Sequence, residues 1–142
     1  MTLWILDTNH ITLLEHRHPN ILKRIEDIDE EDLAITIITA EEQIRGWFKV
    51  MNEPNIKPTR LVNAYKEFKN TLAYLRTVNI IDFDLKAHAI YLELRKEIKN
   101  VGTKDLRITA IALSVDGIIV TRNQKDFEKV PNLKIEDWTL ES

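Results

Sequence analysis

Cysteine is absent from this chain of 142 residues. That absence excludes a disulfide framework, a thiol nucleophile and a thiolate metal site, and it suits a reducing cytosol. Glycine is scarce at three residues and proline at four. No Pro/Gly-rich linker, internal repeat or low-complexity tract divides the sequence. Long hydrophobic runs are missing too. The opening apolar run, residues 3–6, has no basic segment before it and is far too short for a signal peptide or a membrane span. A cytoplasmic chain with no membrane association is expected. An excess of positive charge is also lacking: 20 Lys and Arg face 23 Asp and Glu, for a formal net charge of −3. A nucleic-acid binder is more often basic. If four acids surround a divalent cation, however, the rest of the surface is close to neutral and has room for a local basic patch.

What is present fits one globular domain over residues 1–142. Hydrophobic residues make up 44% and charged residues 30%, as in ordinary soluble domains. The length allows a real core without staples.

Short apolar runs alternate with helical patterns. Residues 3–6 read as a buried strand ending at Asp7. Ile21, Ile25 and Ile28 follow Pro19 at helical spacing. Residues 33–39 are rich in β-branched side chains and read as a second strand. Ile44, Trp47, Phe48 and Met51 fall on one helix face. Pro54 and Pro58 end that helix, and Leu61, Tyr65, Phe68, Leu72 and Leu75 mark a longer one. Residues 78–83 read as a short strand, 85–98 as a helix and 100–103 as a loop. Residues 106–115 form a nearly all-apolar helix stopped by Gly117. Residues 118–121 are a further buried strand, and 133–135 a last edge strand. This alternation implies an α/β fold with a mainly parallel sheet. Sites in such sheets form beyond the carboxyl ends of the strands.

Four acids stand at suitable places, each with a structural alternative. Asp7 follows the first strand directly, where Asp is also a favoured helix N-cap. Glu42 completes a Thr39-x-x-Glu42 capping box. Asp105 opens the apolar helix, where the helix dipole favours a carboxylate. Asp126, with Asn123, follows the last core strand in a segment that also suits a solvated turn. In a doubly wound fold these positions converge on one edge. Converging carboxylates cannot all stay charged without a counter-ion. A hard cation such as Mg²⁺ or Mn²⁺ prefers oxygen ligands. Held there, it would activate water and stabilise charge on a phosphodiester. The histidines (His10, His16, His18, His88) show no zinc-like spacing and read as surface or helix residues. Of these, His10 and His88 merit a closer look.

These residues resemble the PIN-domain ribonucleases, and among them the VapC-type toxins of type II toxin–antitoxin pairs. Ile5-Leu6-Asp7-Thr8-Asn9 resembles the opening motif. Thr39-Ala40-Glu41-Glu42-Gln43-Ile44-Arg45-Gly46 resembles the second, in which the acid lies four residues before a glycine. That rule selects Glu42 over Glu41. The run from Asp105 to Leu113 resembles the third, and Val120-Thr121-Arg122-Asn123 with Asp126-Phe127 the closing one. Val130-Pro131-Asn132-Leu133 and Glu136-Asp137-Trp138 resemble the VapC tail. The resemblance implies a three-layer α/β/α sandwich with a mainly parallel sheet of about five strands. It implies Mg²⁺- or Mn²⁺-dependent cleavage of RNA such as tRNA or rRNA, a homodimer and a cognate antitoxin protein. Asp7, Glu42, Asp105 and Asp126 would be the catalytic, metal-binding acids. Thr8, Thr121 and Asn123 would support them. Lys104, Arg107, Arg122 and Lys125, beside the acids, are candidates for phosphate contact, against the plainer reading of a solvated charged face. Gln43 stands where leucine is common, and Asn123 where some relatives carry an acid, which leaves one-metal and two-metal chemistry both open.

Other readings fit less well. A haloacid-dehalogenase-type phosphotransferase needs Asp-x-Asp after the first strand, and the third position here is Asn9. A receiver domain would leave Glu42 unexplained, although Asp82 and Asp84 imitate part of one. A PIN nuclease of RNA processing remains open, as does a catalytically idle PIN-like module that binds RNA or a partner. The aromatic stripes on residues 41–52 and 59–76 read first as core. The alternative for Trp47, Phe48, Tyr65 and Phe68 is a groove for an antitoxin helix.

Overall fold

The structure, a computed structural model, describes residues 2–140, the side chains of residues 13 and 15 excepted. Five short strands form one sheet: β1 (Trp4–Leu6), β2 (Leu33–Thr36), β3 (Asn79–Ile81), β4 (Ile118–Val120) and β5 (Lys134–Glu136). Their order is β3-β2-β1-β4-β5, and every neighbouring pair is parallel. Seven helices connect them: α1 (Thr8–Glu15), α2 (Pro19–Glu26), α3 (Ile37–Met51), α4 (Pro58–Thr77), α5 (Leu85–Glu97), α6 (Thr103–Ser114) and α7 (Gln124–Phe127).

The strands are apolar on both faces because each face is covered by helices. Successive residues point to opposite sides. Ile5 and Ile119 pack toward α5 and α6 with Ala87, Ile108 and Ile111. Leu6, Ile35 and Val120 pack toward α1, α2 and α4 with Ile11, Ile21 and Leu75. This is the expected three-layer sandwich. Helix α6 is apolar nearly all round because it lies in the middle of its layer, with Leu106, Ile108, Ala110, Ile111 and Ala112 at 0–1% exposure. Gly117 closes the turn from α6 into β4. A Cβ there would meet the Ile5 side-chain tip at 2.7 Å and the Leu3 carbonyl oxygen at 3.3 Å, so the close approach of turn and central strand favours glycine.

Several expectations shift. The second strand stops at Thr36, and α3 begins at Ile37, earlier than the β-branched run suggests. The N-cap is therefore Thr36, whose Oγ1 accepts from the Thr39 backbone N–H at 3.1 Å. The capping box over Thr39 and Glu42 does not form. Thr39 is buried inside the first turn, and Glu42 lies in the second. Helix α6 starts at Thr103, inside the expected loop. Helix α1 was anticipated only through the N-cap reading of Asp7, and α7 was not anticipated, since neither short segment carries a full apolar period. The core reading of the α3 and α4 stripes holds only in part: Phe48 is 48% exposed, Tyr65 58% and Leu72 47%.

Candidate metal centre

In the sheet, β1 lies between β2 and β4, so the chain runs outward on one side and then returns to start the other. The crevice beyond the ends of β1 and β4 is the topological switch point, where such folds bind ligands. Asp7 follows β1 and Thr121 follows β4. Asp7 is the N-cap of α1, so the structural reading of this acid is also correct. Its Oδ1 accepts from the Thr8 backbone N–H and its Oδ2 from the Thr121 hydroxyl, each at 2.9 Å. Both oxygens are thus held from the protein side. A hydrogen bond to a charged group contributes about 1.5–3 kcal/mol. Thr121 is fully buried, and its Oγ1 also accepts from the Asn123 backbone N–H at 3.0 Å.

Helix α3 brings Glu42 to this crevice, and the third residue of α6 brings Asp105. Burial raises the proton affinity of Glu42, with the charges of Asp7 and Asp105 adding to it. Burial likewise raises that of Asp105, with Asp7 and Asp126 adding. These four acids therefore form one electrostatic group. Glu41 is not part of it in the same way. It is exposed and held by Lys104 at 2.8 Å and Arg45 at 3.5 Å, and the Lys104 hydrogen bond pulls its proton affinity down. Asp126 stands at the rim, paired with Lys129 at 3.3 Å and carried by α7, which the buried Phe127 anchors.

Beside Glu42 a cleft of about 290 Å³ opens between α1, α3 and α4, lined in part by Thr8, Glu42, Gln43 and Trp47. Three of its polar atoms, Thr8 Oγ1, Glu42 Oε1 and Gln43 Oε1, are buried with no hydrogen-bond partner. Unsatisfied buried polar atoms are costly. A cation or its water shell would satisfy them, and an all-oxygen set of this charge fits a hard divalent ion. Among the described residues, no three acids or imidazoles already close into a cage. The fit rests on charge and orphaned oxygens.

The basic candidates divide. Arg122 and Lys125 are exposed next to the crevice. Lys104 is engaged with Glu41. Arg107 is not presented as a free cation: its guanidinium packs over Tyr91 at 5.5 Å and Phe83 at 5.9 Å. Asn123 contributes a backbone N–H to Thr121, and its side chain makes no cap bond.

Two residues of this network were not singled out as site residues. Asn9 donates from Nδ2 to Thr121 Oγ1 at 3.5 Å, and its Oδ1 accepts from the Arg122 backbone N–H at 3.3 Å. His10, expected at the surface or on a helix, is on α1 but fully buried. Its Nδ1 lies 2.8 Å from Asn9 Oδ1. The Asn of the Asp-Thr-Asn run was the available signal for the first; the second merited a closer look in the sequence, but no role followed from it there.

The PIN domain family matches residues 4–133. This chain belongs to the PIN-domain family. Over 96% of its length it is 31% identical to "Ribonuclease VapC1" of Haemophilus influenzae, covering 98% of that protein. It is 27% identical to the "tRNA(fMet)-specific endonuclease VapC" of Salmonella typhimurium, over 97% of this chain and 99% of the relative. Among solved structures, the toxin–antitoxin complex VapBC2 of Rickettsia felis, bound to a DNA fragment from its promoter, has a chain that matches with a TM-score of 0.75 and 27% identity. That match covers 96% of this PIN domain and 99% of the other chain. PIN-domain VapC nucleases are generally metal-dependent. No helix of this PIN domain, among the described residues, is long and apolar enough to cross a membrane.

Proposed function

We propose that this PIN domain is a metal-dependent endoribonuclease and the toxin half of a toxin–antitoxin pair, with Asp7, Glu42, Asp105 and Asp126 as its metal-binding acids. One observation carries the reading. At the topological switch point, mutually repelling carboxylates lie beside buried oxygens that have no partner within the protein. That arrangement is costly for a scaffold and useful for a cation site.

When bound, Mg²⁺ or Mn²⁺ would supply charge to activate water and to stabilise the phosphodiester oxygens. The chain's own residues do the rest. Thr121 and the Thr8 backbone N–H fix both Asp7 oxygens, so this ligand is oriented before substrate arrives. Glu42 and Asp105, whose proton affinities are raised by burial and by their acidic neighbours, would be drawn into the charged form by the cation they hold. Asp126 at the rim completes the acidic set. Arg122 and Lys125, exposed beside it, would position the RNA backbone.

The partners follow the same reading. The relatives are named as ribonucleases, one of them for tRNA(fMet), so tRNA is the first substrate class to try, ahead of rRNA. A cognate antitoxin would cover the exposed aromatic face of α3 and α4, where Phe48 meets Phe68 edge-on at 5.5 Å and Tyr65 lies open. A homodimer is proposed with it.

The test is direct. Purified protein is incubated with total RNA in EDTA, Mg²⁺ or Mn²⁺, beside Asp7→Asn. Discrete cleavage that needs the cation and is lost at least 100-fold in the variant is expected. Cleavage by both proteins would overturn the assignment of Asp7. No cleavage of total RNA or purified tRNA and rRNA by the antitoxin-free, folded protein would favour a binding module.

A further inference from the structure

The mechanism above leaves His10 unused, although it is the only fully buried titratable side chain beside the site among the described residues. Its two ring nitrogens serve different segments. Nε2 lies 3.1 Å from the Trp138 backbone N–H, which has only a proton to give, so Nε2 must accept. Nδ1 then carries the ring proton and donates to Asn9 Oδ1 at 2.8 Å. The Asp137 carboxylate stands 3.5 Å from Nε2, but its Oδ1 already accepts from the Thr139 N–H and hydroxyl at 2.9 and 2.6 Å. The tautomer with hydrogen on Nδ1 therefore gives the Trp138 N–H its acceptor and Asn9 Oδ1 its donor.

That assignment has a consequence for Asn9. A donor at Nδ1 fixes the Asn9 amide with its oxygen toward His10 and toward the Arg122 N–H, and its NH₂ toward Thr121 Oγ1. Thr121 Oγ1 receives the Asn9 NH₂ and the Asn123 N–H. Its own proton is then left for Asp7 Oδ2. With the amide turned over, Asn9 would present oxygen to Thr121 and compete for that proton. The chain of direction runs from His10 through Asn9 and Thr121 to the carboxylate.

We propose that His10 is a positioning residue for the metal site, acting through Asn9 and Thr121 to keep the Thr121 hydroxyl donating to Asp7. The proposal rests on Asp7 being a metal ligand. The Nε2 arm does something separate: it clamps the segment around Trp138, which is fully buried and packed beside Arg24.

Two variants separate the arms. In His10→Asn the side-chain NH₂ takes the place of Nδ1–H and keeps the donor to Asn9, while the Trp138 N–H loses its acceptor. In His10→Gln the amide reaches the Nε2 position and keeps an acceptor for Trp138, while Asn9 loses its donor. Mn²⁺ affinity is read by titration calorimetry without RNA, kcat and KM by RNA cleavage, and folding by thermal unfolding. His10→Gln should weaken Mn²⁺ binding and lower kcat by about 10-fold or more, within the 10–100-fold range for partners behind a metal ligand, with near wild-type unfolding. His10→Asn should rescue Mn²⁺ affinity and kcat to within about threefold while unfolding at lower temperature. In wild type, the imidazole ¹⁵N signals should show Nδ1 protonated and Nε2 bare. The proposal is overturned if Mn²⁺ affinity follows thermal stability across both variants, or if Nε2 carries the proton. If wild type binds Mn²⁺ and cleaves RNA but His10→Gln matches it, only the positioning role falls. If folded wild type neither binds Mn²⁺ nor cleaves RNA, the site assignment falls and this proposal with it.

Discussion

Burial pushes the proton affinity of His10 down to about 4, against an ordinary value of 6.5. The charges around the ring are Asp137, which opposes the shift, and Arg122 and His18, which add to it. The unfolded chain binds a proton at His10 below about 6.5 and the folded chain only below about 4, so His10 makes stability rise with pH across that window. Its full contribution, roughly 3 kcal/mol at most, is present above 6.5 and lost toward 4. Glu42 and Asp105 act in the opposite sense, because protonation relieves their repulsion as pH falls. The difference between wild type and His10→Asn isolates the histidine. Urea unfolding between pH 6.5 and 4.5 should show a steeper loss in wild type, and equal slopes would contradict the burial account. Much at this scale was legible. Asp7, Glu42 and Asp105 were read as candidates from their places relative to strands and helices, and Thr121 from the resemblance to the family's closing motif. His10 was not, because its burial depends on Trp138, 128 residues away, and the polar run Thr8-Asn9-His10 carries no apolar period.

Among the elements, α3 and α4 show how a helical stripe divides between core and surface. Trp47 donates from Nε1 to Thr71 Oγ1 at 2.9 Å and so ties the two helices together. Phe48, one residue on, is half exposed against Phe68. The spacing of apolar residues marks one face of each helix, but the two helices pack chiefly on each other and leave part of that face open. Phe48→Ser should therefore weaken binding of the cognate antitoxin by about 10-fold or more, with unfolding shifted by only about 1–2 kcal/mol for the half-buried ring and its contact with Phe68, as read by calorimetry and urea titration. Unchanged affinity would remove Phe48 from the interface. The sequence also misled on where α3 begins. Ile37 and Ile38 extend the β-branched pattern of β2, yet Thr36 caps the helix there. Side-chain capping by Thr36 outweighs the β preference of the two residues after it. That shift moves Glu42 from the first turn to the second, beside the cleft.

The whole molecule concentrates unfavourable charge at one end of its sheet. The parallel α/β sandwich was readable because strands of both-face apolar residues need helices on both sides. The strand order was not read from the sequence, since short runs of Ile, Leu and Val pair with one another without specificity. The order β3-β2-β1-β4-β5 brings the ends of β1 and β4 together. The net charge of −3 argued weakly against a nucleic-acid enzyme, and the four acids proposed to hold the cation account for that excess. The most direct test of the central claim, that these acids are held together for a cation, is thermal unfolding of wild type, Glu42→Gln and Asp105→Asn with EDTA and then with saturating Mn²⁺. In EDTA both variants should be at least as stable as wild type, because each removes a repelling charge. With Mn²⁺ at about 100 times its dissociation constant, wild type should gain roughly 5–10 °C and the variants much less. Equal gains in all three proteins, or variants that unfold earlier than wild type in EDTA, would contradict the account.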